Sequence, residues 1–373
     1  MGEREALIVL NMCSSVGPVR AFELSSVFGS FSAILEAPPA EIAAVSGVGA
    51  KTAEEISDWR KRTDIDAETA LAEKAGVDIV TIADPSYPPR LKEIHDAPLV
   101  LYVRGRLPSE SPGPALGIVG TRRPTRYGAR MAESLAAAAG RAGWPVISGL
   151  AYGIDAIAHE AVVAAGGTAV AVLGGGLARI HPQDHVPLAR RIVETGGAVI
   201  SEFPMEKAPN KRTFPMRNRI ISGLSDGLLV VEAGLGSGSL ITAEFALEQG
   251  RSVFAVPGRA EDPQAKGVNK LIKEGAALVE SFDDIMSEFE FLPGMAAATR
   301  GKKDGDAASP LELDDREERV VAVLEKAGES SADQIIAETG LPAGDALATL
   351  MGLKLRKIVV EAHGKTFSLA SRD

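Results

Sequence analysis

The sequence predicts an α/β protein with a mainly parallel, doubly wound sheet, a small all-α N-terminal domain and a C-terminal winged-helix domain. Short β-branched runs alternate with helical stretches between about residues 75 and 290. The first 70 residues carry only helical spacing of apolar side chains, and residues 313–373 read as three helices followed by a hairpin. The predicted organisation is therefore a helical domain at 1–70, a core at 71–290, a linker at 291–312 and a winged helix at 313–373.

The N-terminal domain is predicted from apolar residues at helical spacing, such as Leu7, Ile8 and Leu10. A glycine-containing turn, residues 45–52, joins two of its helices and leaves backbone N–H groups pointing outward, a geometry that can hold a phosphate. The turn resembles a helix-hairpin-helix, a DNA-binding element without sequence specificity. A plain helix–helix turn fits the same residues equally well.

The core strands are predicted where near-continuous apolar runs occur, as expected of strands that are covered on both faces. These runs are Leu116–Val119, Pro145–Ile147, Thr168–Leu173, Ala198–Ile200, Gly227–Val231 and Ser252–Val256. Helical stretches lie between them, which predicts βαβ units with right-handed crossovers and a parallel sheet.

The C-terminal domain is predicted from its order of elements. Helices are expected at Arg316–Ala327, Ser331–Thr339 and Pro342–Leu355, and hairpin strands at Ile358–Ala362 and Thr366–Leu369. Residues 314–373 contain eleven acidic and eight basic residues, whereas a reader of the major groove needs cations along its third helix. The expected role of this domain is therefore contact with protein.

Composition limits the functional classes. The net charge of −10 disfavours a nucleic-acid binder, although binding of phosphates depends on local rather than on net charge. Cys13 is the only cysteine, which excludes an internal disulfide and a thiolate zinc site and favours the cytoplasm. No run reaches the ~20 apolar residues that a membrane span needs, so no membrane association is expected.

Four loops follow predicted core strands, where ligands bind in open α/β sheets. The first, Gly120-Thr121-Arg122-Arg123, leads into a helix, and its small residues and Arg122 suit a phosphate. The second starts with Ser148-Gly149 and leads into a helix that carries Asp155 and His159. Their spacing fits an acid–base pair, but a capping aspartate and a hydrogen-bonded histidine is the preferred interpretation.

The third loop has the strongest signal. Five cations and one acid lie within the fourteen residues 206–219, which include Lys211 and the segment Phe214-Pro215-Met216-Arg217-Asn218-Arg219. Cations interleaved with an aromatic ring match the backbone charge and the base faces of single-stranded nucleic acid. A buried phenylalanine with a solvated basic rim fits the segment equally well, as far as the residues alone can decide.

The fourth loop, Gly236-Ser237-Gly238-Ser239, follows the strand Gly227–Val231 and opens a helix, so its N–H groups are suited to a phosphate. It is not a dinucleotide fingerprint, because no acidic residue lies about 20 positions further on and position 254 is Phe. The segment 181–185 offers two histidines and an aspartate without a third strong ligand, so no metal site is expected. No cofactor or catalytic residue is predicted either.

Ordered matches along residues 110–290 resemble the DNA-processing protein family DprA, also called Smf. The matching segments are Gly120-Thr121-Arg122, Ser148-Gly149-Leu150, Gly153-Ile154-Asp155 with His159, Gly174-Gly175-Gly176-Leu177, Ser201-Glu202-Phe203-Pro204, the stretch from Phe214 to Ser225, Ser237 to Ala243, and Ala255-Val256-Pro257-Gly258. Where the family usually has Tyr-Pro after the glycine turn, this chain has His181-Pro182.

The resemblance implies a Rossmann-like core that binds single-stranded DNA as a homodimer and helps to load the RecA recombinase, notably in natural transformation. It also implies that Arg122, Lys211, Phe214, Arg217 and Arg219 contact the strand. No enzymatic activity is expected.

Two other functions remain open at this stage. One is a nucleotide-processing phosphoribohydrolase on the same core fold, although the stretch from Glu232 to Glu244 lacks the Pro-Gly-Gly-x-Gly-Thr-x-x-Glu pattern of those enzymes. The other is a dimeric transcription regulator that uses its winged helix. It would bind duplex DNA with a sequence preference that survives deletion of residues 120–220.

Overall fold

The structure is a computed structural model that describes residues 1–108, 114–290, 315–342, 346, 349–350, 353, 359–362 and 366–369. The chain forms two compact units, Met1–Lys302 and Lys303–Asp373. The predicted linker at 291–312 lies outside the described residues. None of the described helices combines the length and the apolar character that are needed to cross a membrane.

The N-terminal region is entirely helical, as predicted. Its helices are α1 (Glu3–Met12), α2 (Pro18–Phe28), α3 (Phe31–Glu36), α4 (Pro39–Ala44), α5 (Ala50–Ser57), α6 (Trp59–Arg62) and α7 (Ile65–Lys74). Capping residues begin two of these helices: the side chains of Ser30 and Asp64 accept hydrogen bonds from the backbone N–H groups of Ala33 and Ala67. Gly29 ends α2 in the left-handed region, with φ of 86°.

These helices pack onto the sheet rather than standing apart from it. The Asn11 side chain donates a hydrogen bond of 2.9 Å to the carbonyl of Glu202, and the Met205 N–H donates one of 2.7 Å to the Glu68 carboxylate. The N-terminal helices and the sheet therefore lie in one compact unit. That residues 1–70 form a domain of their own stays a prediction.

The core is a nine-stranded sheet. Its strands are β1 (Asp78–Thr81), β2 (Val100–Gly105), β3 (Leu116–Val119), β4 (Val146–Ser148), β5 (Ala169–Val172), β6 (Ala198–Ser201), β7 (Gly227–Val230), β8 (Ser252–Ala255) and β9 (Ala277–Leu278). Their spatial order is β1-β2-β6-β5-β4-β3-β7-β8-β9. The seven strands from β6 to β9 are mutually parallel, and β1 and β2 extend the sheet in antiparallel pairing.

Helices cover both faces of this sheet, as a mainly parallel sheet requires. The helices of the core are α8 (Pro89–Lys92), α9 (Arg126–Arg141), α10 (Ile154–Ala164), α11 (Val186–Glu194), α12 (Thr213–Leu224), α13 (Gly238–Glu248), α14 (Lys266–Lys273) and α15 (Phe282–Glu290). Within β3, Leu116 and Ile118 belong to one apolar core and Val119 to the other, so neighbouring residues serve opposite faces.

All six predicted core strands are present, with ends that differ by at most one residue. The sequence did not predict β1, β2 or β9. β9 contains only two residues, and β1 and β2 lie outside the βαβ pattern because they pair antiparallel at the edge of the sheet. The α/β fold class, with its mainly parallel sheet, is confirmed.

The C-terminal unit contains α16 (Asp315–Ala327), β10 (Glu329–Ser331), α17 (Ala332–Thr339), β11 (Val359–Ala362) and β12 (Thr366–Leu369). The strands form a sheet in the order β10-β12-β11. Two predicted helices and the hairpin are thus confirmed, and β10 was not predicted. The third predicted helix, Pro342–Leu355, lies largely outside the described residues.

Candidate nucleic-acid interface

The candidate site lies at the carboxyl edge of the parallel strands. From β3 the chain proceeds through β4, β5 and β6 on one side, and then returns to place β7 on the other side of β3. The loops that follow β3 and β7 consequently diverge and leave a crevice between them. This reversal of strand order is the position at which open α/β sheets bind ligands.

A cavity of about 400 Å³ occupies the crevice. Ten of the residues predicted from the sequence line it: Gly120, Thr121, Arg122, Lys211, Phe214, Arg217, Asn218, Ser237, Gly238 and Ser239. Gly236 lines a second cavity, which shares Thr121 and Ser237 with the first. Ala151 and Asp155, from the second loop, also line the first cavity, so all four predicted loops meet at one place.

One wall of the cavity combines an aromatic ring with a cation. The Arg122 guanidinium carbon lies 5.5 Å from the centroid of the Phe214 ring, within the range of a cation–π interaction. The His181 ring lies 6.0 Å from Phe214, centroid to centroid. Gly174 makes room for this ring, since a Cβ at position 174 would approach Phe214 Cδ1 to 2.9 Å. The wall therefore presents a partly exposed π surface with a positive charge over it.

The floor of the cavity is a buried pair of charges. Asp155 and Arg217 are 6% and 5% exposed. Burial lowers the pKa of Arg217 to about 10, opposed by Asp155 and reinforced by Arg122, so Arg217 remains a cation at neutral pH. Burial raises the pKa of Asp155, and the charge of Arg217 opposes that shift.

Arg217 is held in place but is not fully satisfied. Its Nη1 donates to the carbonyl of Val172 at the end of β5. Among the residues that the structure describes, no acceptor lies within hydrogen-bonding distance of its Nε. Gly149 is required beneath it, because a Cβ at position 149 would overlap Arg217 Nη1. Gly149 thus seats the guanidinium and is not itself exposed to a ligand.

The start of α9 does not offer the anion site expected of the first loop. The buried carboxylate of Glu232, from the loop after β7, accepts the Thr125 N–H at 2.9 Å. A Cβ at Gly128 would overlap Glu232 Oε2, so glycine is needed there for the carboxylate to enter. Because Glu232 already occupies this helix N-terminus, a phosphate would meet Arg122 and the turn rather than α9.

The start of α13 is more open. Ser237 caps the helix by accepting the Ser239 N–H at 3.4 Å, and Asn218 Nδ2 donates to the carbonyl of Gly238 at 3.2 Å. A Cβ at Gly238 would meet nothing within 4 Å. Ser237, Gly238 and Ser239 line the cavity together with Arg122 and Phe214, so this helix start lies beside the cation and the ring. A helix N-terminus is a favourable place for a phosphate.

Two of the residues predicted to contact the strand, Arg219 and Ser148, lie outside the cavity. Arg219 is 3% exposed and forms a two-pronged pair with Glu202, with Nη2 to Oε2 at 2.6 Å, while its Nε lies 2.9 Å from Asp96. Ser148 is fully buried and donates to the carbonyl of Ile118 at 2.6 Å. Neither side chain lines the cavity, and Arg123 is exposed beside it without lining it.

Helical spacing separates Arg217 from Arg219. Phe214, Arg217, Asn218 and Ile221 line the cavity at positions i, i+3, i+4 and i+7 of one helix face. Residues two apart on a helix point in different directions, so Arg217 and Arg219 cannot both face one ligand. The spacing of the two arginines in the sequence carries this signal.

The Asp155–His159 pair is structural. Asp155 accepts the N–H groups of Gly149 and Ala151 at 3.1 and 3.4 Å, which belong to the loop before α10. The expected capping role is therefore wrong: the N-cap of α10 is Gly153, and Asp155 fastens the loop instead. His159 is fully buried, and the effect of burial on its pKa outweighs that of a hydrogen bond to the Ser148 backbone. Burial lowers the pKa of His159 to about 3, and it therefore stays neutral.

The histidine-containing segment after the glycine turn, residues 181–185, forms hydrogen bonds with the second loop. His185 Nδ1 lies 2.8 Å from the carbonyl of Leu150, and Asp184 accepts a hydrogen bond of 2.8 Å from the Tyr152 hydroxyl. Within the described ranges, no group of three or more His, Cys, Asp or Glu side chains is arranged to hold a metal ion.

Three features of the site were not anticipated from the sequence. Asp155 lies in the cavity floor, Gly174 seats Phe214, and Lys266 lines the second cavity. Each depends on how the loops at this edge pack against one another, and a single sequence carries no signal for that packing.

Comparison with known proteins agrees with this architecture. Sequence profiles match residues 9–58 as a SAM-like helix-hairpin-helix tandem and residues 305–365 as the DprA winged helix domain. The helix-hairpin-helix interpretation of residues 45–52 is thereby confirmed over a plain turn. A Rossmann-like core between two such elements, with its crevice at the strand ends, defines a DNA-processing protein of several domains.

The profile described as DNA recombination-mediator protein A matches residues 78–290. The chain belongs to that family, whose members are also named DprA and Smf. DNA processing protein DprA of Bacillus subtilis (strain 168) is 46% identical over 59% of this chain and 73% of its own.

Two solved structures share the fold. The X-ray structure of DNA processing protein A from Streptococcus pneumoniae is 34% identical, with a TM-score of 0.65, and the match covers 77% of this chain and 99% of that one. DNA processing protein A from Helicobacter pylori is 27% identical, with a TM-score of 0.51, over 57% of this chain and 95% of that one. The latter structure concerns a single-stranded DNA binding mode of the Helicobacter protein.

Proposed function

We propose that this protein binds single-stranded DNA in the crevice at the carboxyl edge of its sheet. The observation that carries the proposal is the wall in which the Arg122 guanidinium lies over the Phe214 ring, above the buried cation of Arg217. A strand offers both of the groups that such a wall recognises, a phosphate and an unpaired base face. The single-stranded DNA binding mode of the Helicobacter pylori relative supports the same ligand class.

The site favours a single strand over a duplex for a geometric reason. Phe214 is partly buried in the crevice wall, so a base must leave its stack to reach the ring. Bases of a duplex are already stacked and paired, whereas those of a single strand are free to stack on a side chain. Arg122 and Lys211 line this same concave cavity, where a single strand can reach them together with the ring.

The acidic net charge does not oppose this function. Asp155 is the acidic residue among those lining the first cavity, and Glu232 lies at the nearby start of α9. The two are 6% and 4% exposed, and both accept hydrogen bonds from backbone N–H groups. The cations Arg122 and Lys211 are exposed. A strand approaching this edge therefore meets positive charge, whatever the sign of the whole protein.

The wider role proposed here is protection of incoming or exposed strands and help in loading the RecA recombinase during natural transformation and recombination, by a homodimer. Membership of the recombination-mediator family supports this role. It is tested by following RecA assembly on strands coated with single-strand-binding protein, with and without the full chain. RecA assembly that is no faster in the presence of the protein would contradict the loading role while leaving strand binding intact.

Strand binding itself is tested by measuring the affinity of the full chain for a poly-dT strand and for a duplex of equal length across a salt series. We expect tighter binding of the strand. Arg122→Ala should reduce the slope of log K against log salt by about 0.7, the value for one phosphate contact on a single strand. Arg123→Ala is the matched control, because Arg123 carries the same charge one residue away and does not line the cavity. Equal effects of the two substitutions would contradict the assignment of the crevice.

The enzymatic alternative is tested separately. A phosphoribohydrolase would release free base from a nucleoside monophosphate, and we expect no such release. His159, on the helix after the second loop, is fully buried and cannot reach a ligand in the cavity as an acid or a base. A turnover that persists in highly purified protein and disappears in Arg122→Ala would favour the enzyme.

A further inference from the structure

A second cavity, of about 540 Å³, continues the crevice past the loop that follows β7. It is lined by Thr121, Gly234, Leu235, Gly236, Ser237, Pro263, Gln264 and Lys266. Thr121 and Ser237 also line the first cavity, so the two cavities adjoin on either side of these residues. We propose that the bound strand runs on through this second cavity and that Lys266 holds one of its phosphates. This inference rests on the proposed function.

The order of the strands makes such a path continuous. β5, β4, β3, β7 and β8 are consecutive neighbours in the sheet. The loops at their carboxyl ends supply, in that order, the seat of Phe214, the seat of Arg217, the Arg122 turn, the Gly234–Ser239 loop, and the segment that leads to Lys266. A strand laid along this edge passes from one set of cations to the next through the residues that the two cavities share.

A backbone hydrogen bond joins the segment that carries Lys266 to the loop after β7. The Gly267 N–H donates a hydrogen bond of 2.8 Å to the carbonyl of Ala233, which ties the start of α14 to the loop after β7. Position 267 needs glycine for this approach, because a Cβ there would lie 2.6 Å from the same carbonyl oxygen. Lys266 is therefore held beside the Gly234–Ser239 loop by its neighbour in the chain.

The lining of the second cavity is suited to a nucleotide. None of its eight lining residues, all of them described by the structure, is acidic, and Lys266 is exposed without an ion pair among the described residues. Gly236 has φ of +76° and open space around it, so the loop presents bare backbone to the cavity. Leu235 is 65% exposed and provides an apolar surface for a base or a sugar.

Lys270 supplies a matched control. It lies on the same helix as Lys266, carries the same charge and pairs with Glu274 at 3.4 Å, but it does not line the cavity. The general electrostatic attraction of the protein for a strand changes by one unit of charge in either variant. Only a specific phosphate contact distinguishes Lys266→Ala from Lys270→Ala.

The test measures binding of a poly-dT strand by the full chain across a salt series, for wild type, Lys266→Ala, Lys270→Ala and Arg122→Ala. We expect Lys266→Ala to reduce the slope by about 0.7 and to weaken binding about fivefold at 0.1 M salt, and Lys270→Ala to change neither. Lys266→Gln should behave as Lys266→Ala, because it retains the length of the side chain and loses the charge.

The outcomes separate this inference from the proposed function. If Lys266→Ala binds as wild type does while Arg122→Ala is weakened, the strand does not use the second cavity and the first site stands. If Lys266→Ala and Lys270→Ala are weakened equally, the effect is that of net charge and the inference is wrong. If none of the variants differs from wild type, the proposed function itself fails.

Discussion

Replacing Arg219 tests whether this arginine stabilises the fold rather than contacting the strand. The guanidinium makes two hydrogen bonds of 2.6 Å to the Glu202 carboxylate and a third contact, of 2.9 Å, to Asp96, and it also donates to the carbonyl of Met216. Burial alone would lower the pKa of Arg219, but the charge of Glu202 and its hydrogen bonds outweigh burial and leave the pKa raised. The pair therefore stays charged in the folded protein.

The size of the effect follows from what Arg219→Ala leaves behind. Glu202 is 5% exposed, so the variant buries a carboxylate without its partner. Removing one member of a buried pair costs about 3–5 kcal/mol, a large part of the ~5–15 kcal/mol that stabilises a typical domain. Replacing both members, as in Arg219→Met with Glu202→Leu, leaves no buried unpaired charge and should recover most of that loss. Asp96 is 35% exposed and remains in contact with water in either variant.

The assay is denaturant unfolding of the full chain, with Arg212→Ala as the control for loss of one cation from an exposed position of the same segment. We expect a large fall in the unfolding midpoint for Arg219→Ala, little change for Arg212→Ala, and recovery in the double variant. Strand affinity measured on the folded fraction of Arg219→Ala should keep its salt slope. A variant with wild-type stability and a reduced slope would show that Arg219 contacts the strand after all, and would refute this reasoning.

Four further predictions concern the crevice and its surroundings. Phe214→Ala should weaken binding of a poly-dT strand by roughly 1–3 kcal/mol, about 5- to 150-fold in Kd, with an unchanged salt slope, because a stacking surface is lost and no charge is. Gly149→Ala should lower stability by about 1–3 kcal/mol in denaturant unfolding and weaken strand binding, because its Cβ would displace Arg217. Gly238→Ala, whose Cβ meets nothing, should leave the stability of the free protein unchanged. The pKa of His159 is about 3 in the folded protein and ~6.5 in the unfolded chain. The neutral histidine therefore contributes its full stability above pH ~6.5. Below pH ~6.5 the free energy of unfolding falls by about 1.4 kcal/mol per pH unit, because the unfolded chain binds a proton that the folded protein does not. Unfolding of His159→Gln, measured beside wild type from pH 7 to 4, should lack this part of the pH dependence; parallel curves would contradict it.

Much of the fold could be predicted from the sequence because the core strands are buried on both faces. Runs such as Leu116–Val119 and Gly227–Val231 are apolar at nearly every position, and such short runs between two helical stretches are typical of buried parallel strands. β1 and β2 gave a weaker signal. They pair antiparallel at one edge of the sheet, and nothing in a βαβ pattern anticipates strands that enter from outside it.

The place of the site was also predictable, because the loops at the carboxyl ends of parallel strands must share one edge. The burial of individual side chains was not. The spacing of Arg217 and Arg219 shows that they point in different directions on one helix. That Arg219 is the one neutralised depends on Glu202, which reaches the helix from the loop after β6. Lys266 was not predicted for a similar reason: it lines the second cavity because β8 lies beside β7.

The division of charge accounts for a site for a polyanion on an acidic protein. Of the cations in the basic segment, Arg219 is neutralised by Glu202, and Arg217 is buried beside Asp155. The segment is therefore less positive at its surface than its composition indicates. Lys207, Lys211 and Arg212 of the segment remain exposed. Of the exposed cations, Arg122 and Lys211 line the first cavity, where the carboxylate of Asp155 is buried and hydrogen-bonded. Each phosphate contact on a single strand adds ~0.7 to the slope of log K against log salt, so a few contacts give a strong salt dependence. The salt slope, and not the net charge of −10, therefore reports how many phosphates this edge of the sheet binds.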